Sequence, residues 1–164
     1  MNPLIRRVTE SDAEGIVELL NPIIAAGIYT AMDEQFTDED QIEFIRSFPQ
    51  HGIYHVAIDD DRVVGIQDVM PVSTSKVFKH IGEISTFVAL DAHQQGIGQR
   101  LSEATFKAAK ELGFLKLRAT VRADNSHALL FYQSLGFERI GSAKQHAFLQ
   151  ARYIDEILLE KFLD

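Results

Sequence analysis

Apolar residues along this chain recur with two periods, and segments of each kind follow one another. Pro3 to Val8 reads as a short first strand. Ser11 and Glu14 stand at capping-box spacing, and Ile16, Leu19 and Leu20 follow at helical spacing. Asn21-Pro22 is expected to interrupt that helix, with a resumption over Ile23 to Ile28. Gly27 to Phe36 has no clear period and reads as irregular. Thr37 with Asp40 resembles a second cap, before a helix carrying Ile42, Phe44, Ile45 and Phe48 that ends at Pro49 to Gly52. Tyr54 to Ile58 and Val63 to Met70 read as strands around a hairpin turn, Asp59-Asp60-Asp61-Arg62.

His80 to Leu90 is the next strand, and its Ile84–Leu90 part is apolar enough to be buried on both faces. Asp91 to Gln95 is polar. Gly96-Ile97-Gly98 then opens a helix with apolar residues at Ile97, Leu101, Ala104, Ala108 and Leu112. This arrangement aims a helix N-terminus at the C-terminal end of a strand. Free N–H groups and the positive end of the macrodipole make such a terminus a site for phosphate. Glycines at 96 and 98 leave those groups uncovered. A dinucleotide fingerprint would need Gly or Ala at 101, where Leu101 stands, and no Gly-Lys-Ser/Thr follows as in a P-loop.

Gly113 ends the central helix. Leu115 to Val121 reads as a strand, Asn125 to Leu135 as a helix ended by Gly136, and Phe137 to Phe148 with Tyr153 to Leu163 as a final hairpin pair. The expected order is β-α-α-β-β-β-α-β-α-β-β, an α/β fold in one domain over residues 1–164.

Composition narrows the chemistry. A formal charge of −8 disfavours nucleic acid or an anionic membrane as the main partner. There is no cysteine, which excludes disulfides, thiolate metal sites and a Cys nucleophile together. The three aspartates at 59–61 read as a solvated tip, and His51 with His55 as no metal pair, so no metal is expected. MNPLIRRVTESD lacks the apolar core of a signal peptide, and no run reaches transmembrane length, so a cytoplasmic location is the expectation.

Two blocks resemble the GNAT superfamily of N-acetyltransferases: the strand-loop-Gly-Ile-Gly-helix at 84–112, and Asn125-x-x-Ala128-x-x-Phe131-Tyr132-x-x-Leu135-Gly136-Phe137. Glu83 with Ser85, and the closing Tyr153-Ile154-Asp155, are similar to the branch that acetylates amino acids and phosphinothricin-type compounds. The resemblance implies a mixed central sheet of about seven strands with helices on both faces, acetyl-CoA as cosubstrate, and a homodimer as a common assembly. It implies that strands four and five splay apart and that pantetheine pairs with backbone in the gap, at Phe87, Val88 and Leu90. The pyrophosphate would lie on the loop and helix start formed by His93, Gln94, Gln95, Gly96, Ile97, Gly98 and Gln99. His93 replaces the family's usual Arg or Gln, Gln94 a common glycine and Gln95 a frequent basic residue, so cationic contacts are fewer; Arg100 is placed to compensate.

The implied reaction is attack of a neutral amine on a thioester, without a covalent nucleophile. It needs a group to take the amine proton and a donor for the leaving thiolate. By resemblance Tyr132 is the donor and Asn125 contacts the pantetheine arm, with an N-cap as the other reading of Asn125. Glu83, on the strand ahead of the splay, is the candidate base. Tyr29, Glu34 and Phe36 fall where the acceptor wall lies in that fold, and His127 could line the CoA channel. The expected acceptor is a small primary amine: an amino acid, an analogue or a polyamine. Acetylation of a protein N-terminus or lysine, and a non-catalytic CoA-binding module, are the alternatives.

Overall fold

The computed structural model describes residues 2–164. Its elements are β1 (Leu4–Arg7), α1 (Ala13–Ala26), α2 (Asp38–Arg46), β2 (Ile53–Asp59), β3 (Arg62–Pro71), β4 (Ile81–Val88), α3 (Ile97–Glu111), β5 (Lys116–Arg122), α4 (Ser126–Ser134), β6 (Glu138–Leu149) and β7 (Arg152–Phe162). The seven strands form one sheet in the order β1-β2-β3-β4-β5-β7-β6. Only β4 and β5 are parallel; every other pair is antiparallel.

Neighbouring residues of β2 show how the layers are arranged, because successive side chains on a strand face opposite ways. The Tyr54 hydroxyl donates to Gln41 of α2, whereas His55 Nδ1 lies 3.0 Å from Thr105 Oγ1 of α3. Helices α1 and α2 therefore cover one face, and α3, with α4 packed on it, the other. His55 is held under α3, where burial lowers its pKa. Ile16, Leu101, Leu117 and Leu159 are wholly buried between these layers.

The sequence expectations fail at four places, each with a physical cause. Helix α1 runs unbroken through Pro22. Leu19, Leu20, Ile23 and Ile24 are all buried around the proline, and their packing outweighs the lost helical hydrogen bond. The cap before α1 uses Thr9 and Asp12 instead of Ser11 and Glu14: the Thr9 N–H donates to the Asp12 carboxylate at 2.8 Å, and Arg6 pairs with the same group. The buried stripe of α3 is Ile97, Leu101, Ser102, Thr105 and Ala109, while Leu112 is exposed. Two hydroxyls enter the stripe because Gln67 and His55 of the sheet bond to them. Finally, β4 stops at Val88, and Leu90 begins a short 3-10 turn.

Two other local signals hold, a helix cap and a hairpin turn. Thr37 Oγ1 accepts from Asp40 N and the Asp40 carboxylate accepts from Thr37 N, a reciprocal cap for α2. The Asp60 and Asp61 residues of the β2–β3 turn have φ of 47° and 61°, as a two-residue type I′ turn requires.

One departure from regular pairing makes the site. Strands β4 and β5 pair only from Ile81↔Lys116 to Glu83↔Arg118. Beyond that point β4 stays with β3 as far as Gly65↔Val88, and β5 stays with β7 as far as Arg122↔Glu156. The two parallel strands diverge and leave an open wedge.

Candidate active site

Two cavities enter the wedge from opposite faces of the sheet and share Tyr29, Thr86, Phe87, Asn125, Ala128 and Tyr132. The first, of about 490 Å³, lies on the α3–α4 side and runs over His93, Gln94 and Gly96–Gln99 to His127 and Phe131. The second, of about 390 Å³, lies on the α1–α2 side, under the irregular segment 27–36.

The first cavity has the features that a pyrophosphate and an extended pantetheine arm require. Gln94 and Gly96 adopt left-handed φ of 62° and 77°, which turns the loop into the first turn of α3. Arg100 N is the first amide of that helix bonded within it, to Gly96 O, so the N–H groups of Ile97, Gly98 and Gln99 have no helical acceptor. The positive φ explains Gly96. Gly98 is explained differently: a Cβ there would stand 2.8 Å from the Phe131 ring, so this glycine lets α4 pack against α3.

Along β4, the Ala89 N–H donates to Val64 O. Gly65 and Val88 are then a non-hydrogen-bonded pair of the ladder, so the backbone groups of Val88, and of Thr86 two residues before it, turn toward the wedge. Those of Phe87 turn toward β3; Phe87 lines the wedge by its side chain instead. His93 Nε2 lies 3.0 Å from the Val88 carbonyl oxygen, and the ring meets Tyr29 edge-on and stacks with His127. The residue standing for a phosphate-binding Arg or Gln thus ties the loop to the end of β4.

Helix α4 presents Tyr132 at the junction. Its start is fixed by Asn125, whose Oδ1 accepts from Ala128 N at 3.1 Å while Nδ2 donates to Tyr29 O at 3.2 Å. Asn125 is therefore the cap of α4 and also a tie to the acceptor-side segment. The Tyr132 hydroxyl donates to Thr86 Oγ1 at 3.0 Å. Burial holds the phenol well above its usual pKa, so it is a neutral donor at any physiological pH. Thr86 also accepts from Gln67 Nε2, and Gln67 donates to Ser102 of α3, so a chain of polar groups links the junction to the first turns of α3.

The remaining expected residues are scattered. Leu90, Gln95 and Arg100 are exposed and line neither cavity. Glu34 is exposed outside both cavities, while Tyr29 and Phe36 do line the second. Glu83 lines neither: its carboxylate accepts from Arg118 Nε and, at 2.8 Å, from Thr120 Oγ1. Two carboxylates do line the second cavity, Asp68 of β3 and Glu156 of β7, and no motif marks either. Arg122, 3% exposed, also lines it; the guanidinium donates to Gly27 O and Thr30 O and pairs with Asp124, strapping down the segment that roofs the cavity. Among the described residues no three His, Cys, Asp or Glu gather in a metal-sized cluster, and no helix is long and apolar enough to cross a membrane.

Known proteins share this arrangement. The family model described as an acetyltransferase (GNAT) domain matches residues 5–158. The chain is 26% identical over 165 residues to an L-amino acid N-acyltransferase of Escherichia coli, covering 98% of this chain and 94% of that protein. Among solved structures, a ribosomal-protein-alanine N-acetyltransferase of Brucella melitensis superposes with a TM-score of 0.92 at 26% identity, over 98% of this chain and 99% of that one. A phosphinothricin acetyltransferase of Sinorhizobium meliloti in complex with AcCoA has a TM-score of 0.91 at 21% identity, over 99% and 89% of the two chains. With the family's two motifs joined at one wedge and the family model spanning nearly the whole sequence, this chain belongs to the GNAT family and is an acetyl-CoA-dependent N-acetyltransferase.

Proposed function

We propose that the acceptor is the primary amine of a small molecule, of the amino-acid, amino-acid-analogue or polyamine class. The observation that carries this reading is the second cavity. Its volume of about 390 Å³ suits a small molecule, and Arg122 straps its roof segment in place. It meets the first cavity at Tyr132, where an amine from one side would reach a thioester from the other.

In this reading acetyl-CoA supplies the activated acetyl group. The loop His93–Gly98 and the free N–H groups at the start of α3 hold its pyrophosphate, and the backbone of Thr86 with the N–H of Val88 holds its pantetheine arm, the Val88 carbonyl being taken by His93. Asn125 shapes the junction by fixing both α4 and Tyr29. Tyr132 turns from Thr86 to give its proton to the departing sulfur. No side chain of this protein becomes covalently modified.

A peptide N-terminus is the second reading, favoured by the likeness to the ribosomal-protein-alanine enzyme. The test is a panel of amino acids, analogues and polyamines beside short peptides with free N-termini, each scored for acetyl-CoA-dependent acetylation by mass spectrometry. Transfer to the small amines supports the reading. Transfer to peptides alone replaces it with the second, and binding of acetyl-CoA without any transfer replaces both with a non-catalytic module.

A further inference from the structure

We propose that Asp68, and not Glu83, takes the proton of the acceptor amine. This rests on the small-amine reading above. Asp68 lies inside the acceptor cavity with Tyr54, Ile66, Met70, Ser85 and Phe87 around it. It stands opposite Ser85 on β4, two pairs along from Met70↔Glu83, and so shares the acceptor face of the sheet with Glu83. The two carboxylates are satisfied very differently. Glu83 is tied by Arg118 and Thr120 and opens to neither cavity. Asp68 makes no hydrogen bond or ion pair among the described residues, in a site otherwise lined mostly by apolar and neutral groups. A carboxylate without protein partners in such a cavity leaves its lone pairs to the occupant.

The surrounding charges fit the role. Burial raises the Asp68 pKa to about 7, with the nearby negative Glu83 adding to the effect. Other groups facing it are the hydroxyls of Tyr54 on β2 and Tyr132 on α4, both neutral because burial raises them. Gln41 of α2 is held by Tyr54. Arg118 on β5 is engaged by Glu83, and Arg122 by Asp124 and the roof segment, so neither cation is free to pair with Asp68. Glu156 of β7 lines the far side of the cavity near His146. A base with a pKa close to working pH accepts and returns a proton readily.

The step balances as follows. The acceptor ammonium gives one proton to the Asp68 carboxylate. The freed lone pair forms the N–C bond as the C–S bond breaks. The sulfur takes a proton through Tyr132, which is replaced by the second nitrogen proton, and Asp68 later releases its own to water.

The experiment combines Asp68→Asn and Asp68→Glu. In the wild type kcat/KM rises with pH through an apparent pKa near 7. In Asp68→Asn kcat falls at least ~100-fold and that limb disappears, while acetyl-CoA affinity by calorimetry stays within about threefold; Asp68→Glu recovers part of the rate with a shifted limb. An Asp68→Asn enzyme that keeps its rate and pH limb overturns the proposal. So does one in which only the acceptor KM rises, which would make Asp68 a counter-ion. A ¹³C carboxyl titration of the wild type, with Asp68 assigned by its loss in Asp68→Asn, needs no acceptor. A midpoint near 7 supports the proposal and one near 4 overturns it even if the acceptor turns out to be a peptide.

Discussion

The Tyr132 hydroxyl donates to Thr86 Oγ1 across 3.0 Å, joining α4 to β4 at the point where β4 and β5 have parted. That bond parks a neutral phenol at the meeting of two cavities. Tyr132→Phe removes the donor and little volume. Its kcat for thiol release should fall ~100-fold or more, with acetyl-CoA affinity by calorimetry within about threefold. A kcat within threefold of wild type would remove Tyr132 from the chemistry.

Gly96 and Gly98 should respond differently to alanine. At Gly98 a methyl would meet the Phe131 ring at 2.8 and 3.0 Å, so α4 must shift. A loss of about 1–3 kcal/mol in stability is expected, with weaker acetyl-CoA binding, and Phe131→Leu in the same chain should recover part of it. At Gly96 nothing lies within 4 Å, and the cost is the left-handed φ alone, about 1 kcal/mol. Urea denaturation of the three variants checks the order.

Much of this is readable in the chain. The turn at Asp60-Asp61, the Thr37 cap, Asn125 as cap of α4 and the Gly96 turn follow from local chemistry, and the structure has each. Asp68 escapes a reading by motif because no motif contains it. Its signal is a lone acid within the apolar strand Val63–Met70, where a carboxylate has to be explained. Glu83 attracts attention by its place on β4, and nothing local to it reveals Arg118 and Thr120, 35 and 37 residues away, as its partners. Pro22 misleads for a related reason, since tertiary burial on both sides of it is invisible to local propensity.

Stability should carry the mark of Asp68. Its folded pKa of about 7 lies above the ordinary carboxylate value of 3.8, so the folded state holds the proton more tightly than the unfolded chain. Between pH 4 and 7 the native state binds more protons, and stability falls as pH rises. A rise from 3.8 to about 7 corresponds to at most roughly 4 kcal/mol. Asp68→Asn should therefore gain in melting temperature over wild type at pH 8 and lose that advantage at pH 4. An equal difference at both pH values would place the Asp68 pKa near its ordinary value.

Arg122 holds the roof of the acceptor cavity by two carbonyls, Gly27 O at 2.9 Å and Thr30 O at 3.0 Å. Arg122→Met keeps much of the bulk and removes those bonds. The acceptor KM should rise by about tenfold, equivalent to the loss of one charged hydrogen bond, while acetyl-CoA affinity changes little. A rise confined to the acetyl-CoA KM would contradict the strap.

The most direct measurement follows free thiol and acetylated amine together as purified enzyme consumes acetyl-CoA in the presence of small primary amines. The expected result is one acetylated amine for each thiol released, with both signals lost together in Tyr132→Phe. Thiol release that does not depend on any amine, or label found only on peptide N-termini, would contradict a small-molecule N-acetyltransferase built at this wedge.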